Sequence, residues 1–147
     1  MLLLLKEIGQ NHGSPTVSCT YTPIVKTYNI VTDNMTDDCK PIQYGNGCCV
    51  WLNERGQLGE VECIYPKILN NGTSIYSQHG KLIDGIPSFE ISSFDADVIV
   101  EQMENGFIIW FSERKNVEQE VSQNEISYLL SKNELIGLVA KSSRIIE

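Results

Sequence analysis

Two glutamates near the middle of the chain, Glu60 and Glu62, are the residues whose type and spacing first suggest chemistry. They lie in the stretch WLNERGQLGEVECIYP, residues 51–66. Two carboxylates can act as general acid and base, but that role requires a cleft and shifted pKa values. On an alternating strand they would lie roughly 7 Å apart on one solvent-facing side. The pattern therefore predicts solvated glutamates, and we predict no catalytic residue.

Thiols and imidazoles are the other groups that could do chemistry. The five cysteines, an odd number, are Cys19, Cys39, Cys48, Cys49 and Cys63. Their spacing matches neither paired Cys-x-x-Cys motifs nor a Cys–His zinc site, and His12 and His79 stand far apart. We therefore predict five reduced thiols, no bound metal and no cofactor. A thiol cluster of Cys48 and Cys49 beside Cys63 is the alternative.

Charge narrows the classes of partner. The chain has 19 acidic and 11 basic residues and a net charge of −8, and its longest basic run is Arg114-Lys115. Such a chain repels nucleic acid and anionic membranes, and it attracts basic proteins. The start, MLLLLKEIGQ, has too short an apolar run for a signal peptide or a membrane span. We therefore expect a cytoplasmic protein that binds neither nucleic acid nor membrane.

The elements that must position these residues are short apolar runs separated by turn residues. This pattern predicts a mainly β fold with antiparallel sheets, as a sandwich or an open barrel, with roughly 7–10 short strands and at most one or two short helices. The length fits one domain, residues 1–147. We expect a less regular N-terminal third, residues 1–45, to pack on a hairpin-rich body, residues 46–147.

Two hairpins are predicted from similar stretches. In the first, Asn53 and Gly56 bracket a four-residue loop in which Leu52 pairs with Gln57, and Val61, Cys63 and Tyr65 face inward. LNERGQLGEV (52–61) aligns without gaps with LSKNELIGLV (130–139), which suggests one hairpin in each half of the chain. Residues 123–132 could form either a hairpin strand or a short helix, because Ser122 and Glu125 form the capping-box pattern of a helix start.

The strongest local pattern is DVIVEQMENGFIIWFSE, residues 97–113. Asn105-Gly106 predicts a two-residue turn that pairs Gln102 with Ile109. One face would then carry core residues, and the other would carry Ile99, Met103, Ile108 and Trp110, interrupted by Glu101 and Ser112. A one-sided sheet does not leave such an apolar face in water. We expect the chain itself or a partner to cover it, and the predicted partner-binding residues are Trp110, Met103, Ile108, Ile99 and Glu101.

The sequence lacks a phosphate-binding glycine loop, a Gly-x-Ser-x-Gly motif and a His-Glu-x-x-His motif. It therefore favours a binding protein over an enzyme, with an immunity or antitoxin-like protein as the sharpest form. The alternatives are a β-barrel that binds a small ligand or catalyses through carboxylates, and a self-associating structural protein. The G-x-L-G-x-V-E pattern of residues 56–62 is similar to pieces of small bacterial proteins of unknown function, and this similarity implies no activity.

Overall fold

The computed structural model of the chain describes residues 2–11, 16–45, 47–69, 81–93, 97–112 and 116–147. The predicted mainly β fold is confirmed, and the described residues form fifteen strands and a single 3₁₀ turn, Pro23–Val25. The expected number of strands was too low, because several strands have only two to four residues. The strands are β1 (Leu2–Gly9), β2 (Val17–Thr22), β3 (Thr27–Thr32), β4 (Lys40–Tyr44), β5 (Cys48–Leu52), β6 (Leu58–Ile64), β7 (Lys67–Leu69), β8 (Lys81–Asp84), β9 (Ile86–Ser93), β10 (Ile99–Gln102), β11 (Phe107–Trp110), β12 (Gln119–Gln123), β13 (Ile126–Ser131), β14 (Glu134–Ala140) and β15 (Arg144–Ile145).

The strands form two sheets. Sheet A has the order β7-β10-β11-β14-β13-β12-β8, and β1 joins it by pairing with β14 and with β9. Sheet B has the order β15-β2-β3-β6-β5-β4. Most pairs are antiparallel, but β7·β10, β8·β12 and β15·β2 are parallel, so both sheets are mixed. Neither sheet closes into a barrel in the part of the chain that the structure describes, which agrees with the predicted sandwich or open arrangement.

The chain contains an internal repeat. In sheet B the order β2-β3-β6-β5-β4 corresponds to β10-β11-β14-β13-β12 in sheet A, with the strands connected in the same sequence. The strands after each unit also correspond, because β7 crosses to pair with β10 and β15 crosses to pair with β2. We call β1–β7 the first half and β8–β15 the second half. Each half thus contributes a strand to the sheet of the other.

Strands β1 and β9 pair with each other and connect the two halves. Leu5 of β1 pairs with Phe89 of β9. The Leu5 N–H donates to the carbonyl of Asn133 at 2.7 Å, and the Phe89 N–H donates to that of Gly56 at 2.8 Å. Asn133 and Gly56 occupy corresponding turns and both have positive φ, 65° and 81°. These matched bonds connect β1 to the hairpin of the second half and β9 to the hairpin of the first half.

The inner faces of the two sheets form one hydrophobic core. Each sheet contributes one row of residues that pair across neighbouring strands, and the two rows occupy corresponding positions in the two halves. All members of both rows are buried: Cys19, Ile30, Val61, Val50 and Ile42 from sheet B, and Val100, Ile109, Leu138, Tyr128 and Val121 from sheet A. Branched and aromatic side chains alternate with outward residues along these strands, as a two-layer fold requires. The inward prediction for Val61 and Cys63 is confirmed. That for Tyr65 is wrong, because Tyr65 is 62% exposed.

Both hairpins of the aligned stretches exist, and each has a bulge at the same place. Leu52 pairs with Leu58, not with Gln57, and Leu130 pairs with Leu135. The gap-free alignment therefore identifies the correct hairpins but shifts their second strands by one residue. The physical reason is that the first hairpin has one more residue between these pairs than the second.

Residues 119–131 form a hairpin and not a helix, with Ser122 in β12 and a turn at Asn124, whose φ is 55°. The 97–113 hairpin exists, but its register differs from the prediction. Gln102 pairs with Phe107, so four residues connect the strands and the pairing shifts by two. A shift of two residues leaves every side chain on its predicted face. The N-terminal third, residues 1–45, contains β1–β4.

Candidate functional site

The predicted partner-binding residues lie on the outer face of sheet A. Ile108, Trp110 and Glu101 are almost fully buried within the chain, whereas Ile99 and Met103 are half-buried. The expectation that something covers this face therefore holds in the isolated chain for three of the five residues. Their role in partner binding stays a prediction, since a second protein would reach only the less buried members.

Trp110 is the centre of a second, smaller apolar cluster on this face. Its ring lies over Gly137 of the neighbouring strand, where an added Cβ would lie 2.9 Å from the ring. Leu129 and Val117 pack in the same cluster. The indole N–H donates to the Glu101 carboxylate at 3.1 Å. Burial of the tryptophan is thus matched by a hydrogen bond for its only polar group.

The paired glutamates lie on the outer face of sheet B, as predicted from the alternation. Glu60 stands opposite Trp51, and Glu62 stands opposite Cys49. Both glutamates are half-buried, and Glu60 accepts a hydrogen bond of 2.8 Å from the Asn29 side-chain amide. This pairing ties the carboxylate to the neighbouring strand. The geometry is that of a surface polar pair, and it assigns the glutamates no chemistry.

All five cysteines are free thiols. Cys48 and Cys63 face each other in the core, with their sulfurs 3.1 Å apart, whereas Cys49 points to the opposite face. The hydrogen bond to Cys48 and burial raise the pKa of Cys63, and burial raises that of Cys19 to about 12. These thiols therefore stay protonated at neutral pH. Within the described ranges, no group of three or more potential ligands is arranged to hold a metal ion. His12 and His79 lie outside those ranges.

A different surface stands out by its exposed apolar side chains. The described part of the chain exposes eight large apolar side chains, and six of them lie at one end of sheet B: Ile24, Val25, Ile64, Tyr65, Ile145 and Ile146. We call these six residues the apolar end surface. Ile24 is 81% exposed and Tyr65 is 62% exposed. Clustering of this kind marks interaction sites more often than scattered exposure does.

Local backbone structure gathers these residues around the β2–β3 connection. Pro23 starts the 3₁₀ turn, which holds Ile24 and Val25 outward and ends at Lys26 with a φ of 45°. On one side, the Tyr65 N–H donates to the Lys26 carbonyl at 3.0 Å. On the other side, the Ile146 N–H donates to the Tyr21 carbonyl at 2.9 Å. Three distant chain segments therefore meet at one end of the molecule.

A tyrosine-lined pocket of about 560 Å³ adjoins the apolar end surface. Its walls are Tyr21, Lys26, Tyr28, Tyr65, Pro66, Ile68 and Gln102. Tyr21 and Tyr28 stack with their ring centroids 4.4 Å apart, and the Tyr28 hydroxyl donates to the Gln102 side-chain oxygen at 2.7 Å. Burial, with a smaller contribution from Tyr21, raises the pKa of Tyr28, so this hydroxyl stays a donor.

Sequence reasoning missed this surface for an identifiable reason. The apolar run IVKTYNIV, residues 24–31, has the composition of a single strand, but β3 begins at Thr27 and Ile24 lies in the 3₁₀ turn. Pro23 was the available signal, because proline is favoured at the first position of a helical turn. The contribution of the C-terminal segment had no local signal, since it depends on the crossover of β15 to β2.

No protein-family model matches the chain, and no curated protein matches it either. The fold and the candidate site together define a two-sheet β protein with an exposed apolar end and an adjoining aromatic pocket. None of the described helical structure is long and apolar enough to cross a membrane.

Proposed function

We propose that this protein is a protein-binding module and that the apolar end surface is where the partner binds. The observation that carries the proposal is that, of the eight large apolar side chains exposed among the described residues, six cluster at one end of the molecule. Covering each such side chain contributes about 1.5–3 kcal/mol, which favours association once a complementary surface is available. Tyrosine is also enriched among the residues that dominate the binding energy of protein interfaces.

Charge supports a more specific form of the proposal. The net charge of −8 steers a basic protein toward the chain and slows an acidic one. An inhibitor of a basic toxin, as in immunity and antitoxin proteins, is therefore the form we propose. The exposed cations near the end surface in the sequence, Lys26, Lys67 and Arg144, do not contribute to this attraction, which comes from the net charge of the whole chain.

The test compares a double variant with a matched control. Ile24→Asp with Tyr65→Asp places two charges on the apolar end surface, and Asp tolerates the φ of 51° at position 65. Leu82→Asp, at another exposed apolar position, is the control. Proteins retained by the wild type and the control, but lost by the double variant, are identified and re-measured in purified form. We expect the Kd to rise more than about tenfold, as at interface hot spots.

Equal affinity of the wild type and the double variant for the purified partner would refute the proposed surface. A wild-type dimer in light scattering that dissociates in the double variant would support the structural alternative instead. The tyrosine-lined pocket gives small-ligand binding a specific observation, because about 560 Å³ lies within the usual size of ligand sites. A ligand that shifts the amide signals of Tyr21 and Gln102 in NMR titration would favour that alternative.

A further inference from the structure

The two halves of the molecule differ at one strand. In the second half, β12 pairs on its outer side with β8 in parallel. The corresponding strand of the first half, β4, pairs with β5 and has no second strand neighbour among the described residues. The corresponding strand order of the two halves therefore shows what a strand beside β4 would look like, since the second half contains one.

The geometry of β8 is defined by its register and its hydrogen bonds. Lys81 pairs with Gln119, and Ile83 pairs with Val121. The N–H of Lys81 donates to the Glu118 carbonyl at 3.3 Å, and that of Gly85 donates to the Ser122 carbonyl at 2.9 Å. Because N–H groups alternate along a strand, the Ile83 N–H also faces β12, whereas the Leu82 N–H faces away.

A groove opens beside the inward-facing residues of β4. It measures about 410 Å³, and Lys40 and Ile42 of β4, Lys6 of β1, and Phe89, Glu90 and Ile91 of β9 are among its walls, together with the acidic residues Asp38 and Glu54. Ile42 corresponds to Val121, the residue that pairs with Ile83 in the other half. Ile91 is 46% exposed and is one of only two exposed large apolar side chains in the described ranges outside the apolar end surface.

We infer that β4 is a second binding site, which accepts an extended peptide from a partner protein as a parallel strand. In the β8 geometry, the peptide residue opposite Ile42 is aliphatic and extends the inner row of the core. The residue opposite Lys40 is acidic, because Lys40 stands where the second half has neutral Gln119. Main-chain hydrogen bonds provide the affinity in this mode of recognition, and alternate side chains provide the specificity.

The sequence of β4 also limits how many main-chain hydrogen bonds this site can form. The main-chain groups of β4 that correspond to those used by β12 belong to Cys39, Pro41 and Gln43. Pro41 has no N–H, so the peptide forms one hydrogen bond fewer than β8 does. A proline on an edge strand restricts non-specific pairing. The site therefore selects its peptide by side chains rather than binding any exposed strand.

The test is an NMR titration of the full chain with the peptide Glu-Leu-Ile-Asp-Gly, which is segment 81–85 with Lys81→Glu. We expect amide shifts in β4 and at Ile91, and a weaker Kd for the peptide that keeps lysine. Methylation of the amide nitrogen of the peptide's isoleucine should weaken binding by about tenfold or more, because that N–H faces β4. Methylation of the leucine nitrogen, which faces away, is the matched control and should change the Kd by less than about threefold.

A protein variant tests the same geometry from the other side. Pro41→Val restores the missing donor and should tighten peptide binding by about two- to tenfold. Three results would overturn the inference: no shift at millimolar peptide, equal effects of the two methylated peptides, or shifts confined to β12. A homodimer whose β4 amides resist hydrogen exchange before peptide is added would also overturn it, because a second copy would then occupy the groove.

Discussion

At the scale of single residues, Trp110 shows how one side chain can belong to structure rather than to a surface. It is 1% exposed, packs on Gly137 and donates to Glu101. We predict that Trp110→Ala lowers the free energy of unfolding by about 3–5 kcal/mol, as truncation of a buried tryptophan does. Urea denaturation measures this loss. Trp51→Ala is the matched control, since Trp51 is half-buried, and it should cost less than half as much.

Equal losses for the two tryptophan variants would contradict the assigned burial of Trp110. The sequence predicted the side of the strand on which Trp110 lies, because alternation alone determines it. It left open whether the chain itself or a partner covers Trp110 and Glu101. That outcome depends on residues such as Val117, which join the cluster through tertiary contacts.

The buried thiol of Cys19 gives a prediction at alkaline pH. Burial, with a smaller contribution from Glu125, raises its pKa from the ordinary value of 9.0 to about 12. The unfolded chain loses this proton first, so the stabilising contribution is complete below pH 9 and is lost as pH rises toward 12. We predict that the urea midpoint falls over this range and that Cys19→Ala makes the fall shallower. A slope that Cys19→Ala does not alter would contradict the assignment.

At the scale of elements, the sequence predicts strand type and facing better than register. Asn105-Gly106 correctly indicated a hairpin, but the loop has four residues and the pairing differs by two. The faces were still correct, because the side-chain period of a strand is two. The aligned hairpins show the opposite case. The first hairpin has one more loop residue than the second, so the gap-free alignment matches each residue of β6 to a residue of β14 that is one position away from its structural equivalent. Loop length is decided by backbone hydrogen bonds, which composition does not specify.

The parallel strands could not be predicted from the sequence, for a related reason. Strands β7, β8 and β15 have two to four residues each, and their partners lie far away in the chain. Short strands have weak periodicity, and their pairing is a property of the assembled sheets. Both candidate sites depend on such strands. The apolar end surface includes β15, and the groove beside β4 is recognised only by comparison with β8.

At the scale of the whole molecule, the internal repeat explains how the two sites coexist. The halves share a topology, but their outer faces differ. Sheet A carries Trp110 and Leu129 where sheet B carries Val31 and Trp51, and only the first pair is almost fully buried. The sequence indicated the repeat through one pair of hairpins. It could not locate the candidate sites, since the end surface combines residues near positions 24, 65 and 145.

The repeat also predicts how the chain folds. Each half contributes the inner face of one sheet to a common core, β1 pairs with β9, and β7 and β15 exchange between the halves. A separated half would expose its whole inner face to water, which costs more than a small domain can offset. We therefore predict that fragments 1–75 and 76–147 are each unfolded alone but form a native 1:1 complex when mixed. Circular dichroism and NMR dispersion of the fragments, alone and mixed, measure this. A dispersed spectrum from either fragment alone would show that the halves are independent domains and that their shared core is not required for folding.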